Sequence, residues 1–277
     1  MRQIPHVLRA RNFRLYLALG TSLQEADNHR SYSEPCKSEA SGTCRMRLVD
    51  LWQNGGAAVL GHTPPNLLRE LKNAASRGLY APYPHFTESR FLKALSKLLP
   101  GRTFRLYAAL PPACVNLKLW RPYADPLNPF AVDDTPLLIP VIPGIQTWRG
   151  AMPLGLCVVA ARTGDATAEE MFSQLPPNDM FSPILLAAAA RGVYDLLAAP
   201  ERAKPELPRV TKALQQSRWQ KQGIYLTLKD DPKAEEWDAL FSKFFEAGFL
   251  IPPVPSHPLI LPGELSDGEE AKLASVL

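Results

Sequence analysis

The chain has 277 residues, of which 46% are hydrophobic, and it carries a formal net charge of +4. This composition excludes an intrinsically disordered chain and predicts one large globular domain or two ordinary ones. No apolar run reaches the roughly 18 residues that a membrane-spanning helix needs, so we expect no membrane partner. The positive charge is concentrated in residues 1–49, but no nucleic-acid-binding motif accompanies it, and we expect no nucleic-acid partner.

The spacing of cysteines and histidines predicts neither a disulfide framework nor a metal site. No Cys-x-x-Cys pair occurs among the cysteines, which are Cys36, Cys44, Cys114 and Cys157. We favour free thiols in a reducing compartment, and a bridge or a metal at Cys36 and Cys44 is the alternative. The histidines show no His-x-x-His or Glu-x-x-His spacing, and no signal-peptide pattern opens the chain. We therefore predict a cytoplasmic protein without bound metal.

The N-terminal part of the chain predicts a strand pair followed by two helices. Residues Arg11 to Gly20 have the pattern of a strand, and Arg47 to Leu51 have the pattern of its hairpin partner. The polar stretch 21–46 between them predicts an added surface loop. Leucines and alanines that recur on one face predict helices over 66–76 and 88–99.

The remainder of the chain alternates predicted strands and helices, which is typical of an α/β protein. Strands are predicted at 104–108, 137–142, 156–162, 223–228 and 259–261, with a short apolar segment at 249–251. Helices are predicted at 113–121, 183–199, 208–216 and 232–247. A last helix is predicted after Ser266, because Glu269 stands three residues later and completes a capping box.

A run that begins at Arg47 combines several features in a fixed order. Asp50 follows a short strand, small residues form a turn at Asn54, Gly55 and Gly56, and Leu-Gly-His ends at His62 before two prolines. This run resembles the opening signature of the class III pyridoxal-phosphate (PLP) aminotransferases, which include glutamate-1-semialdehyde aminomutase. The resemblance extends over about 1–20, 47–121 and 182–277.

The resemblance implies an α/β fold that is a shortened remnant of the PLP-dependent transferase fold type I, with a small C-terminal α+β domain. It divides the chain into an N-terminal hairpin segment (1–65), a reduced remnant of the large cofactor domain (66–200) and a C-terminal small α/β domain (201–277). It also implies that Asn54, Gly55 and Gly56 contact substrate, as does Tyr80 on a link that lines the active site in the family. The alternative for the turn is structural, because positive φ or close packing also favours glycine. For His62 we favour a structural contact over catalysis.

The chemistry that the family requires is missing from the matching positions. The Schiff-base lysine of the family belongs to an interval, Leu119–Ala203, that contains no lysine. Pro111–Pro112 stands where the phosphate cup of the family opens a helix, and proline has no N–H to donate to an anion. No carboxylate ends a buried strand to hold the pyridine nitrogen, because Asp133 and Asp134 precede their strand and Asp165 follows a turn.

We therefore expect an aminotransferase-like protein that is not catalytic and needs no cofactor. The resemblance implies dimers with active sites at the subunit boundary, so the expected partner is a second copy or a related aminotransferase. One alternative is an active PLP-dependent transaminase or aminomutase that holds PLP without a covalent bond or uses a lysine such as Lys118 or Lys204. Another alternative is a small-molecule binding module that uses the remnant cleft.

Overall fold

The computed structural model describes residues 7–18, 45–143, 156–203 and 205–277. The strands are β1 (Val7–Arg11), β2 (Arg14–Ala18), β3 (Arg45–Asp50), β4 (Arg102–Tyr107), β5 (Lys118–Trp120), β6 (Leu137–Pro140), β7 (Cys157–Arg162), β8 (Trp219–Gln222), β9 (Tyr225–Leu228), β10 (Phe249–Leu250) and β11 (Leu259–Ile260). The helices are α1 (Pro65–Ala75), α2 (Phe86–Leu98), α3 (Ala166–Ser173), α4 (Pro183–Leu197), α5 (Pro208–Leu214), α6 (Ala234–Glu246) and α7 (Asp267–Val276). Of the predicted insert at 21–46, only its last two residues are described, at the start of β3.

Segments from the two ends of the chain meet in one four-stranded sheet, in the order β1-β2-β3-β10. β2 and β3 pair antiparallel with Leu15 opposite Leu48, which confirms the predicted hairpin pairing. The sequence prediction missed β1, which folds back on β2 at a tight turn where Asn12 has a φ of 49°. β10 pairs with β3 in parallel, so a segment near the C-terminus completes the N-terminal sheet.

The middle of the chain forms a second sheet in the order β4-β7-β6-β5. The strands predicted at 104–108, 137–142 and 156–162 are confirmed as β4, β6 and β7. The helix predicted at 113–121 is wrong, because a single 3-10 turn over Pro112–Cys114 leads into β5, which pairs in parallel with β6. Pairing with β6 overrides the local pattern, since it leaves only 5% of Trp120 exposed.

The remaining sheet, β11-β9-β8, and the helices complete the core. α1 and α2 both pack on α4, and α5 packs on α7. Phe91 and Leu95 of α2 and Val193 and Leu196 of α4 are fully buried, and each such side chain contributes roughly 1.5–3 kcal/mol to the free energy of unfolding. None of the helices in the described ranges combines the length and the apolar character that crossing a bilayer requires.

Candidate functional site

The Asp50 carboxylate organises the segment that carries the resemblance. Its Oδ1 accepts hydrogen bonds from the backbone N–H groups of Trp52 and Gln53, both at 2.8 Å. Its Oδ2 lies 2.9 Å from His62 Nε2, and the backbone N–H of His62 donates to the Asn12 carbonyl at 2.7 Å. Asp50 is 2% exposed, so these contacts satisfy a buried carboxylate that would otherwise be costly. These contacts support the structural interpretation of His62, which stays a prediction.

The glycine turn after Asp50 has a left-handed backbone. Gln53 and Asn54 both have a φ of 49°, Gly55 has 69° and Gly56 has 112°. A Cβ on Gly56 would lie 3.2 Å from Val141 Cγ1, which is tighter than ordinary van der Waals contact. Positive φ and close packing therefore account for both glycines. Substrate contact by Asn54, Gly55 and Gly56 stays a prediction.

Gln53 is a residue of this turn that the sequence prediction did not single out. Its side chain is fully buried, and its Nε2 donates a hydrogen bond to the Ile260 carbonyl at 3.0 Å. The backbone N–H of Ile260 in turn donates to the Leu51 carbonyl at 2.7 Å. These two contacts attach the turn to β11. The signal in the sequence is the pair of amide side chains Gln53 and Asn54 in a run of small and apolar residues.

Tyr80 lies on the link between α1 and α2 and is 69% exposed. Within the described ranges it forms no hydrogen bond or ring contact with the glycine turn. Tyr83 and Phe86 follow it at 67% and 63% exposure. We call Tyr80, Tyr83 and Phe86 the aromatic link. Substrate contact by Tyr80 also stays a prediction.

The position of the phosphate cup lies directly after β4. The backbone N–H of Ala108 already donates to Asp179 Oδ2 at 2.7 Å, and the N–H of Leu106 donates to Asn178 Oδ1 at 3.1 Å. Pro111–Pro112 contributes no donor, and the helix that would supply further N–H groups is replaced by the 3-10 turn. A phosphate here would meet the negative charge of Asp179 and few free donors. The residues at this position therefore do not fit a phosphate group.

The acids that flank the buried strands β6 and β7 are engaged in local contacts. Asp133 forms an ion pair with Lys118, and Asp134 lies 3.4 Å from the Arg162 guanidinium. Asp165 caps the N-terminus of α3, a helix that the sequence prediction missed although its capping aspartate was noted. Each of these carboxylates has a partner in the chain. Asp133 and Asp134 precede β6, and Asp165 is separated from the end of β7 by a turn.

Lys118 lies on β5, and its ammonium forms an ion pair with the Asp133 carboxylate. The hydrogen bond from Lys118, followed by that from the Thr135 N–H, lowers the pKa of Asp133. Asp133 thus stays ionised and keeps its ion pair with Lys118. A lysine that formed a Schiff base would have to leave this ion pair. Lys204 lies outside the described residues.

Cys114 and Cys157 are free and buried. Burial raises the pKa of the Cys157 thiol to about 12, which keeps it protonated and unreactive. Cys36 and Cys44 lie outside the described residues. In the part of the chain that the structure covers, no group of three or more His, Cys, Asp or Glu side chains has the arrangement of a metal site.

Solved aminotransferase structures match nearly the whole chain. An ornithine aminotransferase of Plasmodium yoelii aligns with a TM-score of 0.62 at 10% identity, covering 98% of this chain and 91% of that one. An omega-transaminase of Sphaerobacter thermophilus aligns with a TM-score of 0.60 at 10% identity, covering 98% and 89%. The chain has the aminotransferase fold. An acetylornithine aminotransferase of Elizabethkingia anophelis gives a TM-score of 0.56 at 11% identity, with coverage of 98% and 91%.

Comparison of sequences adds one distant relative to this aminotransferase-fold chain. A protein of Treponema pallidum (strain Nichols), described as uncharacterized, is 25% identical over 280 aligned positions, which cover 78% of this chain and 84% of the relative. No family model matches the chain.

The alignments with solved structures confirm the predicted fold class, an α/β protein of the PLP-dependent transferase type. The narrower resemblance to glutamate-1-semialdehyde aminomutase stays a prediction.

Proposed function

We propose that this protein is a non-catalytic member of the aminotransferase fold that acts as a subunit of a dimer, with itself or with an intact aminotransferase. The observation that carries this proposal is the Asp179 carboxylate at the end of β4, where it accepts a hydrogen bond from the Ala108 N–H at 2.7 Å. A carboxylate in this place takes up a backbone donor and repels a phosphate dianion. Pro111–Pro112 removes further donors from the same turn.

The absence of a suitable amine gives independent support. The interval Leu119–Ala203 contains no lysine, and Lys118 at its border is held in an ion pair by Asp133. The arginines in this interval cannot replace the lysine, because a guanidinium stays protonated and is not an amine nucleophile. PLP would be held by contacts to its phosphate group and by a covalent bond to a lysine amine. The loss of either one alone weakens its binding.

The aromatic link supports a role in assembly. Tyr80, Tyr83 and Phe86 expose 69%, 67% and 63% of their surface within one short segment. Aromatic side chains are enriched at the centres of protein interfaces, where they supply large contact areas at low cost in side-chain entropy. We propose that this segment contacts the second subunit. The resemblance implies dimers whose active sites lie at the subunit boundary, and this proposal agrees with that arrangement.

The test is the absorption spectrum of the purified protein incubated with PLP, followed by borohydride reduction and mass spectrometry. We expect no aldimine band and no pyridoxyl group on any single lysine, whereas an active ornithine aminotransferase treated in parallel should show both. A specific adduct on Lys118 or Lys204 would contradict the proposal and favour the active-enzyme alternative. The variant Lys118→Arg keeps the charge opposite Asp133, so loss of an adduct in this variant would assign it to Lys118.

A further inference from the structure

A cavity of about 480 Å³ lies between the loop that follows β5, strand β6 and the β8–β9 hairpin. The half-buried Leu119, Val132 and Pro258 contribute apolar surface to its lining, and Arg121 is among the residues that line it. The hairpin approaches the loop so closely that a Cβ on Gly223 would lie 1.8 Å from a backbone carbonyl oxygen. The volume falls within the range of about 300–1,000 Å³ that small-molecule sites occupy.

Arg121 differs from the other arginines that the fold buries. Arg102 donates to the carbonyls of β-strand and loop residues, including that of Thr135 at 2.8 Å. Arg105 donates to one carbonyl in the last turn of α3 and to one just after it, each at 2.6 Å, and Arg202 donates to the Val59 carbonyl at 3.1 Å. Arg121, which is half-buried, forms no side-chain hydrogen bond or ion pair with the described residues, and its Nε is buried without an acceptor, as are Arg102 Nε and Arg202 Nη1. Burial accordingly lowers its pKa.

The other ionisable groups that line the cavity each have a hydrogen-bond or ion-pair partner. Lys118 and Asp133 neutralise each other, and Asp125 accepts a hydrogen bond from a backbone N–H of its own loop at 2.9 Å. The Tyr225 hydroxyl donates to the Pro122 carbonyl at 2.8 Å. Among the described residues that line the cavity, Arg121 is thus the cation without a counter-ion. A half-buried guanidinium without an ion-pair partner is costly, and a bound anion would offset that cost.

We propose that this cavity binds a small organic carboxylate. The planar guanidinium of Arg121 matches the two oxygens of a carboxylate, and Leu119, Val132 and Pro258 cover an apolar carbon skeleton. The combination of one unpaired fork-shaped donor with apolar walls favours a carboxylate over a free phosphate, which carries no skeleton for the walls to cover. Formation of this complex requires neither PLP nor a second subunit, so its test is independent of the proposed function.

The test is isothermal titration calorimetry on the protein, with benzoate as the probe carboxylate and inorganic phosphate as the comparison anion. We expect saturable binding of benzoate, at least tenfold weaker binding of phosphate, and at least a tenfold loss of benzoate affinity in Arg121→Gln. The matched control is Arg69→Gln, which removes an exposed arginine of α1 whose guanidinium donates to Asn66, and it should bind benzoate as the wild type does. No saturable benzoate binding by the wild type, or phosphate binding of equal affinity, would overturn the proposal.

A second variant keeps the proposal testable if Arg121→Gln fails to fold. Thr227 lines the cavity from β9 and is exposed, so Thr227→Trp places an indole in the cavity without removing a buried contact. We expect this variant to fold and to lose benzoate binding at least tenfold. Unchanged benzoate affinity in a folded Thr227→Trp or a folded Arg121→Gln would place the bound benzoate elsewhere and overturn the assignment.

Discussion

Gly56 is the residue of the glycine turn that the backbone constrains most. Its φ of 112° lies beyond the left-handed helical region that asparagine tolerates, and Val141 occupies the space that a side chain would need. The neighbouring Gln53 and Asn54 adopt a φ of 49° because Asp50 and the Ile260 carbonyl hold the turn from both sides. The turn is therefore rigid even though it contains two glycines.

We predict that Gly56→Ala lowers the free energy of unfolding by about 1–3 kcal/mol, through strained φ and the contact with Val141. Gly268→Ala is the matched control, because Gly268 lies in α7 with open space around its Cα and no positive φ. This control should stabilise the protein by about 0.4–1 kcal/mol, since alanine restricts the unfolded chain. Urea unfolding measures both effects. Equal changes in the two variants would mean that the turn is not under strain.

At the residue scale, the sequence predicts the backbone of the site better than its hydrogen bonds. Positive φ at Gly55 and Gly56 follows from residue type and is confirmed. The contact between Asp50 and His62 is not predictable from spacing, because it depends on how the turn folds back over the strand. Arg121 gave no signal at all, since its unpaired state depends on the residues that surround it in three dimensions.

At the scale of elements, α7 is fixed to the N-terminal sheet through Glu269. Its carboxylate accepts from Arg14 Nε and Nη2 at 3.0 and 2.6 Å and lies 3.3 Å from the Arg47 guanidinium. It also accepts from the Ser266 N–H at 2.9 Å, which closes the predicted capping box. Burial alone would raise the pKa of Glu269, but the hydrogen bonds from Arg14 and Ser266 outweigh it and hold the pKa at about 2.

This pKa predicts how stability depends on pH. Because the pKa is lower in the folded state than the ordinary value of 4.5, the contribution of Glu269 is present above that value and is lost as the pH falls toward about 2. We expect Glu269→Gln to cost about 2 kcal/mol near neutral pH and to flatten the fall in stability in this acid range. Glu235→Gln, an exposed change on α6, is the control. A pH profile of Glu269→Gln that parallels the wild type would contradict this assignment.

The elements that the sequence predicts correctly are those with long periodic patterns. The helices confirmed as α1, α2, α4, α6 and α7 each present a regular apolar face or a clear cap. The error at 113–121 arises because β5 has only three residues, and its pairing with β6 decides its conformation. β8 was missed for a similar reason, since Trp219 is its one buried residue and the rest of the strand is exposed. Short edge strands leave too little pattern in the sequence.

At the scale of the whole molecule, the proposed dimer predicts a specific response to mutation of the aromatic link. We expect the wild type, or its complex with an intact aminotransferase, to sediment as a dimer. Tyr80→Ser combined with Tyr83→Ser should shift it to monomer with little change in Tm, because both side chains are exposed. Leu127→Ser is the control, since Leu127 is 87% exposed and lies outside the link. Analytical ultracentrifugation over a concentration series measures the shift, and a monomeric wild type without a captured partner contradicts the proposal.

The whole molecule also explains why the cavity could not be predicted from the sequence. Its walls come from residues 118–138, 222–227 and 256–258, which are distant in sequence and become neighbours only when the β8–β9 hairpin packs on the loop after β5. The resemblance to aminotransferases predicted the fold, which depends on many residues. The resemblance did not predict the cavity, because the anion preference that we propose for it depends on a single guanidinium, that of Arg121.

The parallel pairing of β10 with β3 has a consequence for synthesis. A ribosome adds ~5–20 residues per second, so the roughly 200 residues between these strands take on the order of 10–40 s to emerge. During that time the hydrogen-bonding edge of β3 has no neighbour, and an open strand edge recruits strands from other chains. The molecule is therefore most exposed to aggregation while it is being made, before Phe249 and Leu250 arrive to cover that edge.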